Sequence, residues 1–341
     1  MEEPEITVLM AVYNAASHLR EAVESILSQT FASFEFLVID DGSTDSSKEI
    51  ILSYKDPRIR LLSNEKNTGL TASLNKGLRE ATGKYIARMD ADDLSLSQRL
   101  EIQYKILQDN PDVGVVTGWV QVIDEQGNNL REWSTPLKPE DIYYKLNFRN
   151  CLAHSAVMFH RDLILKSRGY NENIKRAQDF ELWHRLSKVT KICQVDRLLL
   201  KWRDYEKNIS YKWKTEQEKI VTDLVKPGLE SLAGMKISEK ETGLLQTGEI
   251  DNISDLQKTI LLLEKINKNL LLKEAHIIRN TGLKKRKIKK AMQDKIRKLL
   301  YSFFRNLSFN RFLYYFMNLR FRSKILLLKE IVSGVKRKII T

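Results

Sequence analysis

Five aspartates lie at the ends of two apolar runs, and a sixth opens a later helix. Asp40 and Asp41 follow Phe36-Leu37-Val38-Ile39, Asp90, Asp92 and Asp93 follow Tyr85-Ile86-Ala87-Arg88-Met89, and Asp179 stands before Phe180-Glu181-Leu182-Trp183. Carboxylates at the strand ends of an open α/β sheet are placed for a nucleotide and a metal. A hydrated cation such as Mg²⁺ is held by one or two carboxylates plus substrate phosphates, so Asp90-Ala91-Asp92 is sufficient to clamp a nucleotide diphosphate. Side chains at i and i+2 of an extended segment share a face, which lets one reach a ribose while the other meets the cation. Mg²⁺ and Mn²⁺ both prefer oxygen ligands, and the spacing does not choose between them. The same residues also fit a solvated acidic loop ahead of a helix over 98–107 capped by Ser97.

Tyr13, just past the first apolar run, can offer a ring face to a pyrimidine, and Asp41 can accept from a base N–H. A ring-base stack contributes about 1–3 kcal/mol and tolerates several bases, which leaves discrimination to the carboxylate. Read alone, Tyr13 is also a turn aromatic and Asp41 part of an Asx turn with Gly42 and Ser43.

Such residues need a scaffold that brings strand ends to one edge. Residues 6–12, 35–40, 58–62 and 84–90 read as strands. Helices are predicted from Ser17 as N-cap, with Leu19, Val23, Ile26 and Leu27 on one face, over 46–54, and over 70–81, where Leu70, Leu74 and Leu78 fall four apart. Short strands linked by helices favour right-handed crossovers and a doubly wound, mostly parallel α/β sheet. After Pro111 the rhythm changes: 113–118, 121–124 and 130–133 predict an antiparallel hairpin around the turn 125–129, followed by a strand over 155–159, a helix over 179–186 and a strand over 195–202. Lys226-Pro227-Gly228 reads as a breaker separating a catalytic domain, 1–225, from a helical region, 226–341. There, Leu256, Ile260, Leu263, Ile266 and Leu270 mark one amphipathic helix and Ile288, Met292, Ile296, Leu299 and Phe303 another.

A chain of 341 residues suggests two domains. Residues 280–341 carry 18 Lys and Arg against Asp294 and Glu330, whereas the first 279 residues are close to neutral, so the net charge of +13 belongs to the tail. Cys151 and Cys193 make neither a metal-ligand spacing nor a disulfide framework, which points to a reducing compartment. The acidic start Met1-Glu2-Glu3-Pro4 argues against a secretory signal. Arg305, Arg311, Arg320, Arg322, Lys324 and Lys329 interrupt every tail segment that approaches the roughly 20 apolar residues of a membrane span.

Ile6-Thr7-Val8-Leu9-Met10-Ala11-Val12-Tyr13-Asn14, Ser25-Ile26-Leu27-Ser28-Gln29-Thr30, Val38-Ile39-Asp40-Asp41-Gly42-Ser43-Thr44-Asp45, Asn67-Thr68-Gly69-Leu70, Asp90-Ala91-Asp92-Asp93 and Gln178-Asp179-Phe180-Glu181-Leu182-Trp183 occur in this order. Over roughly residues 5–210 the chain closely resembles family 2 glycosyltransferases; each motif is weak alone, and their order makes the set specific. The resemblance implies a GT-A fold, a nucleotide-diphosphate sugar donor and in the first place a UDP-sugar, a divalent metal, Mg²⁺ or Mn²⁺, and inversion at the anomeric carbon. It implies a saccharide or lipid-linked acceptor in surface polysaccharide synthesis.

By the same resemblance Val12, Tyr13, Asn14, Asp41, Asn67 and Gly69 line the donor site, Asp90 serves the ribose or supports the metal, and Asp92 is the metal ligand. Asp179 becomes the general base that takes the acceptor hydroxyl proton. His154, Trp183 and Arg203 match positions on the acceptor side or near the closing loop, where a guanidinium can clamp phosphate bidentately. On their own residues these three also read as a satisfied structural histidine, a core tryptophan and a surface charge. Two departures stand out. Gln178 precedes Asp179 where the motif has Glu, which leaves burial as the main lever on the Asp179 pKa. Leu74-Asn75 replaces an Arg-Asn pair, and Arg88 is placed to compensate on the donor if no bulge separates it from Asp90.

The basic tail alone fits a nucleic-acid binder. Its charges interleave with Phe303, Phe304, Phe309, Phe312, Tyr314, Tyr315, Phe316 and Phe321, the pattern of a helix in an anionic membrane interface. The expectation is therefore a cytoplasmic enzyme, peripheral on the inner face of the membrane, with no nucleic-acid partner; packing of the tail on the core or on a second copy of the chain stays open. No Gly-x-Gly-x-x-Gly follows the first strand, which argues against a dinucleotide dehydrogenase, and the Asp-x-Asp comes too late for a phosphatase nucleophile. A non-catalytic nucleotide-sugar binder would keep the same pocket.

Overall fold

The computed structural model describes residues 4–205 and 213–305, together with positions 315, 317, 319, 323–325 and 327. The chain divides into two compact units, one formed by Met1–Tyr143 and Asn150–Ile220, the other by Tyr144–Arg149 and Val221–Thr341.

In the first unit, strands β1 (Ile6–Val12), β2 (Phe34–Asp40), β3 (Ile59–Ser63) and β4 (Tyr85–Met89) run parallel in the order β3-β2-β1-β4. Helices α1 (Ala16–Leu27), α2 (Ser47–Ser53) and α3 (Leu70–Glu80) make the connections. The strand order reverses at β1, and ligands of open α/β sheets bind in the crevice beyond the strand C-termini at such a reversal. Every residue of β2 and β4 is buried, as sheets covered on both faces require.

Past β5 (Leu94–Ser95) and α4 (Arg99–Asp109) the sheet becomes mixed. β6 (Val113–Ile123) forms the expected hairpin with β7 (Asn129–Trp133), and after α5 (Pro139–Lys145) the short β8 (Met158–His160) lies antiparallel between β4 and β6. Helices α6 (Arg161–Lys166) and α7 (Gln178–Leu186) lead to β9 (Lys191–Arg203), which runs parallel to β6 and antiparallel to β5. The runs 113–118 and 121–124 thus fuse into one strand, whose pairing with β9 shifts register around Trp119 without breaking. Part of the strand expected over 155–159 is instead a 3₁₀ turn at His154–Ala156. Ser17 is not the cap of α1: the helix starts at Ala16 because Asp45 and Ser47, from a different loop, accept from the N–H groups of Ala16 and Ala15 at 3.1 and 2.9 Å.

The second unit is helical among its described residues. Helix α8 (Lys214–Ala233) contains Pro227, so the expected breaker does not end an element. A proline inside a helix removes one backbone bond, and burial of Val225, Leu229, Leu232 and Ala233 on either side of it offsets that loss. Helix α9 (Glu239–Thr247) opens on a reciprocal capping box between Ser238 and Glu241. In α10 (Ile253–Lys273), and beyond α11 (Ala275–Asn280) in α12 (Lys285–Phe304), every apolar position that the periodicity marks is buried. The apolar stripe of α12 is thus covered by protein. Phe309, Phe312, Tyr314, Phe316 and Phe321 lie outside the described residues, and among the described ones no helix is long and apolar enough to cross a membrane.

Between α3 and β4 the chain passes so close to β1 that a Cβ on Gly83 would lie 2.4 Å from the backbone nitrogen of Thr7. Gly83→Ala is expected to destabilise the protein by about 1–3 kcal/mol, the range for overpacking a rigid contact, read as a lower denaturation midpoint at unchanged slope.

Candidate active site

The loops that follow β1, β2 and β3 are stapled together by their own side chains. Asn14 is left-handed, φ 49°, a conformation Asn tolerates, and its Oδ1 accepts from the Thr44 N–H at 2.8 Å while its own N–H donates to Ser43 Oγ at 3.1 Å. Asp41 Oδ1 accepts from the Asn64 amide, the Thr68 N–H and the Thr68 hydroxyl at 2.8–2.9 Å, and its Oδ2 from the Gly69 N–H at 2.8 Å. Burial raises the Asp41 carboxyl, but the Thr68 N–H followed by the Asn64, Thr68 and Ser73 side chains outweighs it and holds Asp41 below the usual range. Gly42, φ 72°, lets this loop lie against the backbone of Lys66 and Asn67, where a Cβ would come within 2.7 Å. Tyr13 is 48% exposed at the rim and Asn67 is exposed.

Beyond β4 four charged side chains meet. Arg88 is buried and paired with Asp90, two residues on, so no bulge separates them. Ser155 Oγ donates to Asp90 at 3.1 Å and also contacts Asp93, whose other oxygen accepts from the Arg203 N–H at 2.9 Å. Asp92 is pushed up to about 6 by burial and then by the neighbouring Asp90 carboxylate; Asp93, fully buried, is raised well above the carboxylate range by burial, Asp92 and Asp90. A cation at Asp90 and Asp92 would relieve that repulsion. Among the described residues no three His, Cys, Asp or Glu gather into an all-protein metal cage. Two carboxylates are the number that a cation shared with a diphosphate needs, so the donor set fits a divalent metal held jointly by protein and nucleotide.

Asp179 sits in the first turn of α7, after the left-handed Ala177 at φ 57°, and does not cap the helix. A carboxylate there is favoured by the helix dipole. Asn150 donates its amide to Asp179 Oδ2 at 2.7 Å and is itself fixed by accepting from the Leu152 N–H. Burial raises the Asp179 carboxyl, opposed by the Phe180 N–H, Asn150 and the Arg88 charge. Tyr170 donates to or accepts from His154 Nε2 at 2.8 Å, and its backbone is held by Asn75 through bonds of 2.9 Å at both N–H and C=O. Burial and then Arg88 drive His154 well below the histidine range, so it is neutral.

Arg88 thus pairs with Asp90, and its buried charge acts on Asp92, His154 and Asp179. Four expected contact residues are given other work. Val12 is 1% exposed and its carbonyl accepts from the Asp41 N–H, because β1 is covered on both faces. Trp183 is fully buried against His154 and Phe159, so neither face is open to a sugar. Arg203 is a brace rather than a phosphate clamp: its guanidinium donates to the carbonyls of Asp92, Asp124 and Glu125 and to the Glu21 carboxylate. Arg88 is buried at 1% exposure and occupied by Asp90. Sequence reasoning missed Asn150 and Tyr170, which occupy irregular chain, and Ser155, which sits in the 3₁₀ turn His154–Ala156, where no periodicity points to a site.

Arg88→Met should cost about 3–5 kcal/mol of stability, the usual cost of stripping a buried charge of its partner, measured by denaturant unfolding. A loss below about 1 kcal/mol would mean that the acidic loop does not depend on it.

The chain matches the family model "Glycosyl transferase family 2" over residues 7–168. It is 39% identical over 212 residues to an uncharacterized glycosyltransferase of Methanocaldococcus jannaschii, covering 60% of this chain and 72% of that one. It is 34% identical over 211 residues to the O-antigen biosynthesis glycosyltransferase WbnJ of Escherichia coli, covering 60% and 81%. The fold is similar to that of S. aureus TarS 1-349 in complex with UDP-GlcNAc, at a TM-score of 0.54 and 15% identity over 89% of this chain and 93% of that one; against a longer TarS structure the matched part is 50% of that chain. The motif order, the reversal of strand order beneath the acidic loops and these likenesses agree: the chain is a glycosyltransferase and belongs to glycosyltransferase family 2.

Proposed function

We propose that the enzyme transfers a sugar from a nucleotide-diphosphate donor, a UDP-sugar in the first place, to a hydroxyl of a saccharide or lipid-linked acceptor in surface polysaccharide synthesis, with inversion. What supports this reading is the acidic loop after β4, held by the buried Arg88 through Asp90 and by Ser155, at the strand ends next to the reversal of strand order. The O-antigen role in the name of WbnJ and the UDP-GlcNAc bound to TarS support the substrate class.

Tyr13 offers its exposed ring to the base, and Asn14 with the Asp41-anchored loop 64–69 frames the nucleoside. Asp92, with Asp90 behind it, would hold Mg²⁺ or Mn²⁺, which neutralises charge on the departing diphosphate when bound. Asp179 takes the proton of the acceptor hydroxyl as that oxygen bonds to the anomeric carbon, the bond from that carbon to the diphosphate oxygen breaks, and the nucleoside diphosphate leaves. His154, neutral and tied to Tyr170, can donate or accept a hydrogen bond beside the acceptor but carries no charge to it. The basic second unit is the part that would meet an anionic membrane bearing a lipid-linked acceptor.

Asp92→Ala should abolish Mn²⁺ binding in the presence of UDP, followed by the electron paramagnetic resonance of the ion, together with transfer. Unchanged Mn²⁺ binding would remove Asp92 from the metal. Asp179→Asn should lower kcat by about 10²–10⁴ with donor KM little changed. The pH profile adds the sign: Asp179 acts ionised, so the rate falls as pH drops through its raised pKa. Asn150→Ala removes a donor that favours the ionised form, so the acid limb of kcat/KM should move to higher pH. An unmoved limb would reduce Asn150 to packing.

A further inference from the structure

Asn64, the first residue past β3, joins the loops of the rim. Its N–H donates to the Asp40 carbonyl at 2.8 Å. Its side-chain nitrogen donates to Asp41 Oδ1 at 2.8 Å, to Thr68 Oγ1 at 3.1 Å and to Ser73 Oγ at 3.0 Å. An amide turned the other way would set its acceptor oxygen against the Asp41 carboxylate, which has nothing to donate when ionised. The direction in which Asn64 faces therefore bears on how well Asp41 gathers the Thr68 and Gly69 N–H groups.

Lys76 sets that direction. Its Nζ donates to Asn64 Oδ1 at 2.7 Å and to the Ser63 carbonyl at 3.3 Å. An ammonium has three donors and no acceptor, so only the oxygen of an amide can face it, and the nitrogen is left to point at Asp41. The bond is charge-assisted and hence among the stronger ones. Ser73 and Lys76 lie three apart on α3, where such residues are neighbours, so one helix face holds both ends of the same amide. The helix is a firm support: Leu74 and Leu78 are fully buried, and Asn75 bonds the Tyr170 backbone. We propose that Lys76 is a positioning residue of the donor site, which by fixing the Asn64 amide holds residues 64–69 in the form that receives a nucleoside diphosphate. What the rim receives rests on the nucleotide-donor reading; the relay from Lys76 through Asn64 and Asp41 to Thr68 and Gly69 does not. Lys76 acts here through another residue, so its loss falls on donor binding and spares the chemical step.

The test uses the full chain. Lys76→Met keeps the stem and removes the donors, and Lys76→Arg keeps a charged donor. Arg79→Met, which removes an exposed cation from the same helix, is the control for charge alone. UDP is titrated calorimetrically, and exchange of the Thr68 and Gly69 amide hydrogens is followed without ligand. Lys76→Met should weaken UDP binding and raise the donor KM about tenfold with kcat within about twofold, and speed exchange at both amides about tenfold. Lys76→Arg should recover to within about threefold of the unaltered chain and Arg79→Met should stay within about twofold. Added to Asn64→Ala, which already cuts the relay, Lys76→Met should cost less than about twofold more. Unchanged exchange or affinity in Lys76→Met, an equal loss in Arg79→Met, or full additivity with Asn64→Ala would overturn the role. An unaltered chain that binds no UDP, while exchange still answers to Lys76→Met, would overturn the donor reading and leave the relay standing.

Discussion

Because Arg88 is buried, its charge has to be balanced from inside the protein, and the acidic loop after β4 balances it. Asp90 pairs with it directly, and Asp92, Asp179 and His154 all feel it. Below it a second buried guanidinium, Arg99, donates to the Arg88 carbonyl at 2.7 Å and to that of Val157 at 3.2 Å, tying the end of β4 to α4 and to the turn before β8. Breaking such a pair costs more than the pair ever contributed, since one charge is then left in a medium of low dielectric. The consequence is positional: the acidic loop cannot drift without exposing Arg88 to an unpaired state, so two carboxylates are held in place before any ligand arrives.

A second constraint acts at the other strand ends. Left-handed conformations at Asn14 and Ala177 carry a modest local cost and persist only where surroundings fix them. At Asn14 the fixing groups are Ser43 and Thr44; the loop they belong to contains Asp41, which in turn organises residues 64–69. Three loops from three strands are therefore tied into one rim. That explains why the Asp41 carboxylate is kept ionised by N–H and O–H donors rather than left open: it shapes the rim, and the rim presents the exposed Tyr13 ring.

The parallel half of the fold was legible because β2 and β4 end in acidic loops and the helices α1 and α3 show apolar stripes, as in Leu19, Val23 and Ile26 or Leu74 and Leu78. Helix starts were less so: Ala15 and Ala16 are capped by Asp45 and Ser47, roughly 30 residues away, and no local pattern encodes such a cap. Pro227 misled for a related reason, since tertiary burial around it outweighs a missing backbone bond. In the site, residue types identified Asp92 and Asp179 as candidates, but the burial of Trp183 and the bracing role of Arg203 depend on long-range contacts. Asn150 was invisible because an asparagine in irregular chain carries no period; its meaning comes wholly from the carboxylate it faces.

The second unit shows how the same sequence pattern can serve a different end. A helix with a basic face and an apolar stripe suits a membrane interface only while the stripe is free. In α12 Ile288, Met292, Ile296, Leu299 and Phe303 are all buried, so bilayer insertion of this helix would require the unit to give up its own core. What it still presents is charge. Attraction of exposed lysines to an anionic surface is screened within about 8–10 Å at physiological salt.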